Sequence, residues 1–317
     1  MSSKGRVLFL DSVHSGLKDI LSSSGFECVF LPDTDSENIY ERIADYDGVI
    51  IRSKIALNKD ILSGAKKLKF IGRVGSGMEN VDVEYAESIG IRCLNSPEGN
   101  RVAVGEHALG MLLSMLNNLC RANREVKNAV WNREGNRGVE IQGKTIGIIG
   151  YGNTGSAFAR RLEGFEANLI AYDKYKEGFG CGHVKEVAMN DIFENADILS
   201  LHVPLTEETK YLVHIDYIKN FKKPIWLLNT SRGRVVKIAD VVFALKNNLL
   251  KGAALDVLEY ESLTFGDLDK DLLNDDFDYL ANDDRVVLSP HIAGWTHESN
   301  VKLSQVLADK INKLYEK

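Results

Sequence analysis

The chain has 317 residues, of which 44% are hydrophobic and 26% are charged. These proportions are typical of globular proteins and exclude a mainly disordered chain, and the length predicts roughly two domains. The formal net charge is −6. This balance argues against a broad nucleic-acid-binding surface, because such surfaces are usually basic.

No run of apolar residues approaches the length of about 18 that a membrane-spanning helix needs. The first apolar run, residues 7–10, is too short for the hydrophobic region of a secretory signal. The cysteines lie far apart and form no C-x-x-C pair, which favours free thiols over a metal site or a disulfide framework. They are Cys28, Cys93, Cys120 and Cys181. We therefore expect a cytoplasmic protein without a membrane or nucleic-acid partner and without a metal.

Short apolar runs alternate with helix-length segments along most of the chain. The first runs cover residues 6–11, 48–53, 69–75 and 91–95, with a helical stretch at about 15–24. Because these runs lack strict alternation of apolar and polar residues, they are typical of strands buried on both faces of a parallel sheet, with helices as crossovers. A second series of strands and helices follows from 145 to 290, and the chain is again helical from about 296.

Residues 101–130 predict one long helix between the two series. Apolar side chains lie on much of its circumference, which is more than a surface helix needs. A helix packed between two domains has this pattern, and so does an ordinary core helix.

The most informative segment is a glycine-rich turn between a predicted strand and a predicted helix. Gly150 permits a tight turn, Gly152 lacks the Cβ that would block a pyrophosphate, and Gly155 lets the helix pack closely on the strand. The N-terminus of the helix offers N–H groups and a positive dipole end to phosphates. The strand and helix that this motif requires are both present, so the turn predicts dinucleotide binding.

An acidic residue follows the next predicted strand. Asp173 lies 23 residues after Gly150, close to the usual spacing of about 20. A carboxylate there accepts hydrogen bonds from a ribose 2′-hydroxyl and repels a 2′-phosphate, which favours NAD over NADP. Lys174 directly afterwards weakens the exclusion of NADP. The alternative is an ordinary strand–helix turn with an acidic end.

Chemically active side chains follow four consecutive predicted strands of the second series. In open α/β sheets, ligands bind beyond the carboxyl ends of the strands, so these side chains are expected at one edge. They are His202, Arg232, the acidic pair Asp256 and Glu261, and His291.

An arginine, a glutamate and a histidine beside a nicotinamide have a joint use. Arginine holds a carboxylate in a bidentate fork and polarises an adjacent carbonyl. Histidine transfers the proton that accompanies hydride movement, and glutamate orients the imidazole. The set predicts interconversion of a 2-hydroxy acid and a 2-keto acid. Any one of these residues alone is more often a solvated loop residue, and His202, close before Pro204, fits a buried structural histidine.

At these residues the sequence resembles the D-isomer-specific 2-hydroxyacid dehydrogenase family over essentially the whole chain. The motifs that carry the resemblance stand in the family's order: GKTIGIIGYGNTG, LSLHVPLTEETKYLV, LLNTSRGRVV, GAALDVLEYE and LSPHIAGWT. The resemblance implies two Rossmann- or flavodoxin-like α/β domains with doubly wound parallel sheets and an active site in the cleft between them. The implied domains are residues 1–98 plus 292–317 for the substrate and 99–291 for NAD. It also implies a homodimer with its interface at the helix near 101–120.

The resemblance further implies roles for individual residues. Arg232 would bind the substrate carboxylate and keto oxygen, His291 would be the acid and base, and Glu261 would be its partner. Asp256 would face the nicotinamide carboxamide, and Thr206 would lie along the cofactor. The implied cofactor site comprises Gly150, Gly152, Asn153, Thr154, Gly155, Asp173, His202, Val203, Pro204, Thr206, Thr230, Asp256 and Gly294.

Two N-terminal segments match substrate-binding segments of the family. One is a loop whose backbone N–H groups would grip the substrate carboxylate. The other is a basic segment that meets the substrate phosphate in the phosphoglycerate dehydrogenase branch, which the chain resembles most. The implied residues are Arg52, Ser53, Lys54, Gly75, Ser76 and Gly77. The resemblance thus implies NAD-dependent oxidation of 3-phospho-D-glycerate to 3-phosphohydroxypyruvate in serine biosynthesis. Alternatively, Arg52 and Lys54 lie at a solvated strand end and do not bind the substrate phosphate.

The sequence departs from the family pattern at several positions. Ser262 replaces the proline that usually follows the catalytic glutamate, and the acidic segment 267–284 is longer than usual. Trp295 stands where phosphoglycerate dehydrogenases usually have a small residue. Because the chain ends after its last helix, we expect no C-terminal regulatory domain and no serine feedback.

Other functions stay open at this point. A glyoxylate/hydroxypyruvate reductase or a D-lactate-type dehydrogenase would share most of these motifs. A non-catalytic, NAD-binding corepressor-like scaffold would retain the fold, although neither end of the chain carries a disordered extension for binding partners.

Overall fold

The structure, a computed structural model, describes residues 4–31, 39–262 and 267–316. The chain divides into two units. The first has the bounds Met1–Asn100, Ser262–Asp267 and Trp295–Lys317, and the second has the bounds Arg101–Glu261 and Leu268–Gly294. No helix within the described ranges is long and apolar enough to span a membrane. The assignment of the substrate to residues 1–98 plus 292–317 and of NAD to 99–291 stays a prediction.

The first unit is built on a parallel sheet of five strands among the described residues, in the order β2-β1-β3-β4-β5. The strands are β1 (Gly5–Phe9), β2 (Phe26–Phe30), β3 (Gly48–Ile51), β4 (Phe70–Arg73) and β5 (Arg92–Asn95). The helices are α1 (Ser15–Ser23), α2 (Ile39–Ile43), α3 (Lys59–Ser63), α4 (Val83–Ser88) and, from the C-terminal segment, α12 (His297–Lys313).

Successive residues of β1 enter two different hydrophobic clusters. Val7 and Phe9 pack in the cluster that contains Leu307 of α12, whereas Leu8 packs in the cluster on the other face. Because side chains alternate across a strand, a strand covered on both faces needs apolar residues at every position. This is the pattern that predicted the strand. Strand β2 was not predicted, because it lies at the sheet edge and only Phe26 of its five residues is buried.

The second unit contains a parallel sheet of seven strands among the described residues, in the order β12-β11-β10-β9-β6-β7-β8. The strands are β6 (Thr145–Ile149), β7 (Asn168–Tyr172), β8 (Lys185–Glu186), β9 (Ile198–Leu201), β10 (Ile225–Asn229), β11 (Leu250–Leu255) and β12 (Val286–Leu288). The helices are α5 (Pro97–Leu116, mostly in this unit), α6 (Leu119–Lys127), α7 (Asn153–Arg161), α8 (Met189–Asn195), α9 (Ile215–Lys219), α10 (Ile238–Lys246) and α11 (Asp275–Asn282). The predicted fold class, two parallel-sheet α/β domains, is confirmed.

The order of strands reverses at β6. The chain continues from β6 to β7 on one side, and the later strand β9 pairs with β6 on the other side. A reversal of this kind opens a crevice at the carboxyl ends of the strands, where ligands of such sheets bind. The glycine turn predicted to bind a dinucleotide directly follows β6.

The prediction of one helix over 101–130 is wrong. Helix α5 begins earlier, at Pro97, and the helical path breaks between Leu116 and Leu119. Asn118 has a left-handed φ of 53°, a conformation that asparagine tolerates better than most residues. Its side-chain amide donates to the backbone oxygen of Arg137 at 3.3 Å. Apolar periodicity alone did not reveal this break.

The acidic segment 267–284 is ordered structure on the second unit, apart from Asp267. Leu268 forms an isolated antiparallel bridge with Glu261, and α11 follows with Leu280 in the core. The side chain of Asn274 caps α11 by accepting hydrogen bonds from the N–H groups of the first turn. The aspartates of that turn are favourable there because the helix N-terminus carries the positive end of the helix dipole.

Candidate active site

Three neighbouring strands of the second unit end at the residues of the predicted catalytic set. Arg232 follows β10, Glu261 follows β11 and His291 follows β12. Because these strands are parallel and adjacent, their carboxyl ends meet at one edge of the sheet. The sheet thus brings the three loops to the same edge.

Glu261 and His291 form a hydrogen-bonded pair. Nδ1 of His291 lies 2.6 Å from Oε2 of Glu261, and the other carboxylate oxygen accepts a hydrogen bond from the N–H of Leu258 at 2.6 Å. Both side chains are largely buried, at 15% and 25% exposure. The carboxylate is therefore fixed on both oxygens, and the Nδ1–H bond fixes the imidazole ring. Nε2, the ring nitrogen that does not contact Glu261, is the candidate atom for proton transfer.

The backbone of His291 is held in an uncommon conformation. Its φ is 53°, which costs on the order of 1–3 kcal/mol for a residue other than glycine. Its N–H donates to the backbone oxygen of Asp256 at 2.7 Å. The next two N–H groups, of Ile292 and Ala293, donate to the Asp256 carboxylate at 2.9 Å each. One buried aspartate therefore holds the turn that presents the imidazole.

Asp256 itself is a saturated, buried carboxylate with 1% exposure. Besides the two N–H groups it accepts the hydroxyl of Ser289 at 2.6 Å, and Nε2 of His107 lies 3.3 Å away. Burial alone would raise the pKa of Asp256, but the hydrogen bonds from His107, Ser289 and the two N–H groups outweigh it and hold the pKa below its usual value. The sequence assigned this carboxylate to the nicotinamide. In the structure its bonds hold the His291 turn, and a cofactor contact stays a prediction.

His107 and Ser289 are residues that sequence reasoning missed. His107 belongs to α5 and Ser289 stands two residues before His291, and the two side chains lie 3.0 Å apart. The available signals were a histidine on the apolar helix, in GEHALG, and a serine in the LSPHIAG motif. Neither signal says that both side chains meet on Asp256, because this contact joins distant parts of the chain.

The turn that carries Arg232 is fixed by an asparagine that was also not predicted. Oδ1 of Asn229 accepts from the N–H and the hydroxyl of Ser231, at 3.0 and 2.7 Å, and its amide donates to the backbone oxygen of Arg232 at 3.1 Å. The signal was an asparagine at a strand end, a residue that commonly builds turns. Asn229 therefore positions the arginine.

His202 is a buried side chain rather than an exposed acid or base. It is 7% exposed, Nε2 lies 2.8 Å from the Ser200 hydroxyl, and the ring packs on Phe158. Loss of solvent lowers the pKa of His202 to about 3, so the ring is neutral at physiological pH. The structure favours the structural interpretation of this side chain.

The glycine turn after β6 has the shape that a dinucleotide requires. Gly150 has a left-handed φ of +88°, and a Cβ on Gly155 would lie 2.0 Å from the backbone oxygen of Gly150. A Cβ on Gly152 would meet no atom within 4 Å, so the space above the turn is open. Gly152 precedes α7, which has no side-chain cap. The backbone N–H groups of Gly152, Asn153 and Thr154 are therefore suited to bind a pyrophosphate.

Asp173 lies directly beyond β7 and is fixed by backbone donors. One carboxylate oxygen accepts from the N–H of Tyr151 at 2.8 Å, and the other accepts from the N–H groups of Tyr175 and Lys176 at 2.9 and 3.1 Å. The carboxylate is thus fixed next to the glycine turn, where a ribose hydroxyl is expected. The remaining predicted cofactor residues lie beyond the ends of β9, β10 and β12. They are Val203, Pro204, Thr206, Thr230 and Gly294.

Lys174, which weakened the exclusion of NADP, is neutralised in the structure. Its ammonium pairs with Glu208, which also accepts from the hydroxyl of Tyr175 at 2.5 Å. We expect Glu208→Gln to tighten NADP binding by up to about fivefold, because an exposed ion pair of this kind is worth up to about 1 kcal/mol. Fluorescence titration with NADPH and NADH measures the effect. The NADH affinity of Glu208→Gln should stay unchanged, and so should both affinities of the control variant Glu207→Gln. An unaltered NADPH affinity in Glu208→Gln would contradict the role of Glu208.

The predicted substrate segments of the first unit also share a sheet edge. Arg52, Ser53 and Lys54 follow β3, and residues 75–77 follow the adjacent strand β4. The guanidinium of Arg52 lies over the ring of Trp295, 3.9 Å from its centroid, and the Arg52 N–H donates to Asp11 at 2.6 Å. The tryptophan that departs from the family pattern is therefore a direct neighbour of the predicted phosphate-binding arginine.

Gly75 has a hydrogen-bond partner on its own unit, since its N–H donates to the hydroxyl of Ser96 at 3.2 Å. Its φ of +155° is strained for other residues, and a Cβ there would lie 1.8 Å from a guanidinium nitrogen of Arg73, so both observations favour glycine. The Ser76 hydroxyl donates to Asn100 at 2.7 Å. The contact of residues 75–77 with a substrate carboxylate stays a prediction.

Comparison with known proteins shows the family to which the chain is similar. Residues 109–293 match the family described as "D-isomer specific 2-hydroxyacid dehydrogenase, NAD binding domain". The chain is 31% identical over 308 residues to D-3-phosphoglycerate dehydrogenase of Archaeoglobus fulgidus, covering 96% of this chain and 56% of that relative. It thus spans about half the length of such relatives. It is 32% identical over 279 residues to hydroxypyruvate reductase of Thermotoga maritima, covering 88% of each chain.

A solved structure has the same fold. The apo-structure of D-lactate dehydrogenase from Escherichia coli superposes with a TM-score of 0.77 at 28% identity, covering 98% of this chain and 96% of that chain. The matched family domain covers more than half of the chain and confirms the prediction of NAD as cofactor. The chain belongs to the D-isomer-specific 2-hydroxyacid dehydrogenase family.

Proposed function

We propose that the protein oxidises 3-phospho-D-glycerate to 3-phosphohydroxypyruvate with NAD. The observation that carries the dehydrogenase chemistry is the Glu261–His291 pair at 2.6 Å, at the same sheet edge as Arg232 and the glycine turn. An imidazole held by a carboxylate is suited to transfer a proton at neutral pH.

The substrate loses a proton and a hydride, and each goes to a different acceptor. Nε2 of His291 accepts the proton of the 2-hydroxyl group, while Nδ1–H stays bonded to Glu261, whose negative charge stabilises the imidazolium. NAD supplies the acceptor for the hydride that leaves C2. In the reverse direction the imidazolium returns the proton to the oxygen of the keto acid.

Arg232 is proposed to bind the substrate carboxylate and the oxygen on C2. A planar guanidinium can donate two parallel hydrogen bonds, which orients the substrate as well as binding it. Asn229 supports this role, because it holds the turn before the guanidinium. We assign the substrate phosphate to Arg52 and Lys54, which follow β3 on the first unit.

A second candidate is reduction of an unphosphorylated keto acid such as hydroxypyruvate. The Thermotoga maritima relative, of which the chain covers 88%, is named a hydroxypyruvate reductase. Trp295, which stands where phosphoglycerate dehydrogenases usually have a small residue, also covers one face of Arg52. These two observations favour the smaller substrate, whereas the Archaeoglobus fulgidus relative favours the phosphorylated one.

Steady-state kinetics with NADH separates the candidates. We expect kcat/KM for phosphohydroxypyruvate to exceed the values for hydroxypyruvate, glyoxylate and pyruvate by at least about tenfold, because a phosphate adds charge-assisted hydrogen bonds. Arg52→Gln should remove that advantage and leave the values for the other acids within about twofold. A preference for an unphosphorylated acid would overturn the phosphate assignment. Absence of turnover with intact NAD binding would favour the non-catalytic scaffold.

A further inference from the structure

A cysteine, a histidine and a glutamate that are not among the predicted site residues lie together on the second unit. Sγ of Cys181 lies 3.5 Å from Nδ1 and 3.8 Å from Nε2 of His183. Nδ1 of the same ring lies 3.1 Å from a carboxylate oxygen of Glu163. All three residues line one surface groove. The dehydrogenase chemistry uses none of them.

The geometry suits an activated nucleophile. When Nδ1–H donates to Glu163, Nε2 is the basic nitrogen that can accept the thiol proton of Cys181. A nucleophile, a base and a carboxylate that orients the base form the usual arrangement for activating a thiol. Cys181 is exposed, so small reagents can reach the sulfur.

The other cysteines lack this environment. Burial raises the pKa of Cys28, and it raises the pKa of Cys93 to about 11, so both thiols are less reactive than an ordinary one. Cys120 is exposed, but within residues 4–31, 39–262 and 267–316 no imidazole contacts it. It is therefore an internal control for a cysteine that is exposed in the single chain and has no neighbouring base.

Cys181 also contacts the cofactor turn through one side chain. The hydroxyl of Tyr151 lies 4.0 Å from Sγ, and Tyr151 stands between the first two glycines of the turn. The tyrosine is only 9% exposed, and its ring stacks on Phe179 with 4.6 Å between centroids. Its N–H donates to Asp173, the predicted ribose ligand. A change at the sulfur therefore reaches a residue of the NAD-binding turn.

We propose that Cys181 is a redox-modification site that takes a hydroperoxide and weakens NAD binding when oxidised. The thiolate attacks one peroxide oxygen, so that an S–O bond forms as the O–O bond breaks. The sulfur is oxidised to sulfenic acid, and the leaving oxygen takes the proton held by His183 and departs as water or an alcohol. The added oxygen needs space next to the Tyr151 hydroxyl, and its accommodation shifts the tyrosine and the turn.

The test uses the full chain with hydrogen peroxide as the probe. Sulfenic acid is trapped with dimedone after brief exposure, and mass spectrometry measures labelling at each cysteine. We expect Cys181 to be labelled at least tenfold faster than Cys120. We also expect the Kd for NADH, measured by fluorescence titration, to rise at least threefold on oxidation and to return after a thiol reductant.

Three variants make the result decisive. Cys181→Ser should bind NADH normally and lose the response to peroxide, whereas Cys120→Ser should respond like the unchanged protein. His183→Gln should slow labelling of Cys181 about tenfold without altering NADH binding before oxidation. Equal labelling of Cys120, or unaltered labelling in His183→Gln, would overturn the activated thiol. An oxidised Cys181 with unchanged NADH affinity would overturn the coupling. Because binding is measured directly, none of these outcomes depends on which substrate the protein oxidises.

Discussion

His291→Gln is expected to lower kcat/KM by about 10²- to 10⁴-fold on the best substrate, the range that a positioned general acid or base contributes. Glutamine keeps a polar side chain of similar reach but cannot exchange a proton at neutral pH. The turn beneath it should persist, because Asp256 holds this segment through backbone N–H groups. The fall should therefore lie mainly in kcat, with the Kd for NADH within about twofold of its original value.

Glu261→Gln tests the other half of the pair. The amide retains the shape of the carboxylate but lacks the charge that stabilises an imidazolium, so we expect a smaller fall in kcat, on the order of 10²-fold. His297→Gln is the matched control, because this exposed histidine lies at the start of α12 and should leave the kinetics unchanged. Near-normal turnover of His291→Gln would eliminate the proposed proton transfer.

The parts of the site that local sequence could predict are those fixed by a single strand and the turn after it. The glycine turn and Asp173 are set by two consecutive strands with a helix between them, and their spacing in this context predicts dinucleotide binding. Arg232, Glu261 and His291 were expected at one edge because parallel strands bring their carboxyl ends together. These predictions rested on the parallel order of the strands and not on any specific side-chain contact.

The parts that sequence could not predict depend on contacts between distant segments. His107 lies 182 residues before Ser289, and nothing in either segment says that both reach the carboxylate of Asp256. The contact of Arg52 with Trp295 is of the same kind. The break at Asn118 was missed for another reason. The sequence pattern there is continuous, and one left-handed residue ends the helix.

Arg232→Lys is expected to lower kcat/KM about 10²-fold although the positive charge is kept. A lysine ammonium is a point charge, so it cannot donate the two parallel hydrogen bonds that fix a carboxylate next to the reacting carbon. Loss of one charge-assisted hydrogen bond costs about 1.5–3 kcal/mol. Arg232→Ala removes the charge and both hydrogen bonds. Its kcat/KM should therefore fall about 10³-fold or more, because each lost bond has a similar cost.

The division of the loss between KM and kcat distinguishes a bound carboxylate from a merely structural arginine. If the guanidinium contacts both the carboxylate and the oxygen on C2, Arg232→Lys raises KM and lowers kcat together, because the second contact strengthens as charge develops in the transition state. Arg234→Lys is the matched control, since Arg234 is exposed two residues later in the same turn, and it should change neither value by more than about twofold. Equal effects of the two substitutions, or a loss in Arg232→Lys explained by a lower melting temperature, would contradict the assignment. A shift confined to KM would restrict Arg232 to holding the carboxylate and leave the polarisation of the C2 oxygen to His291 alone.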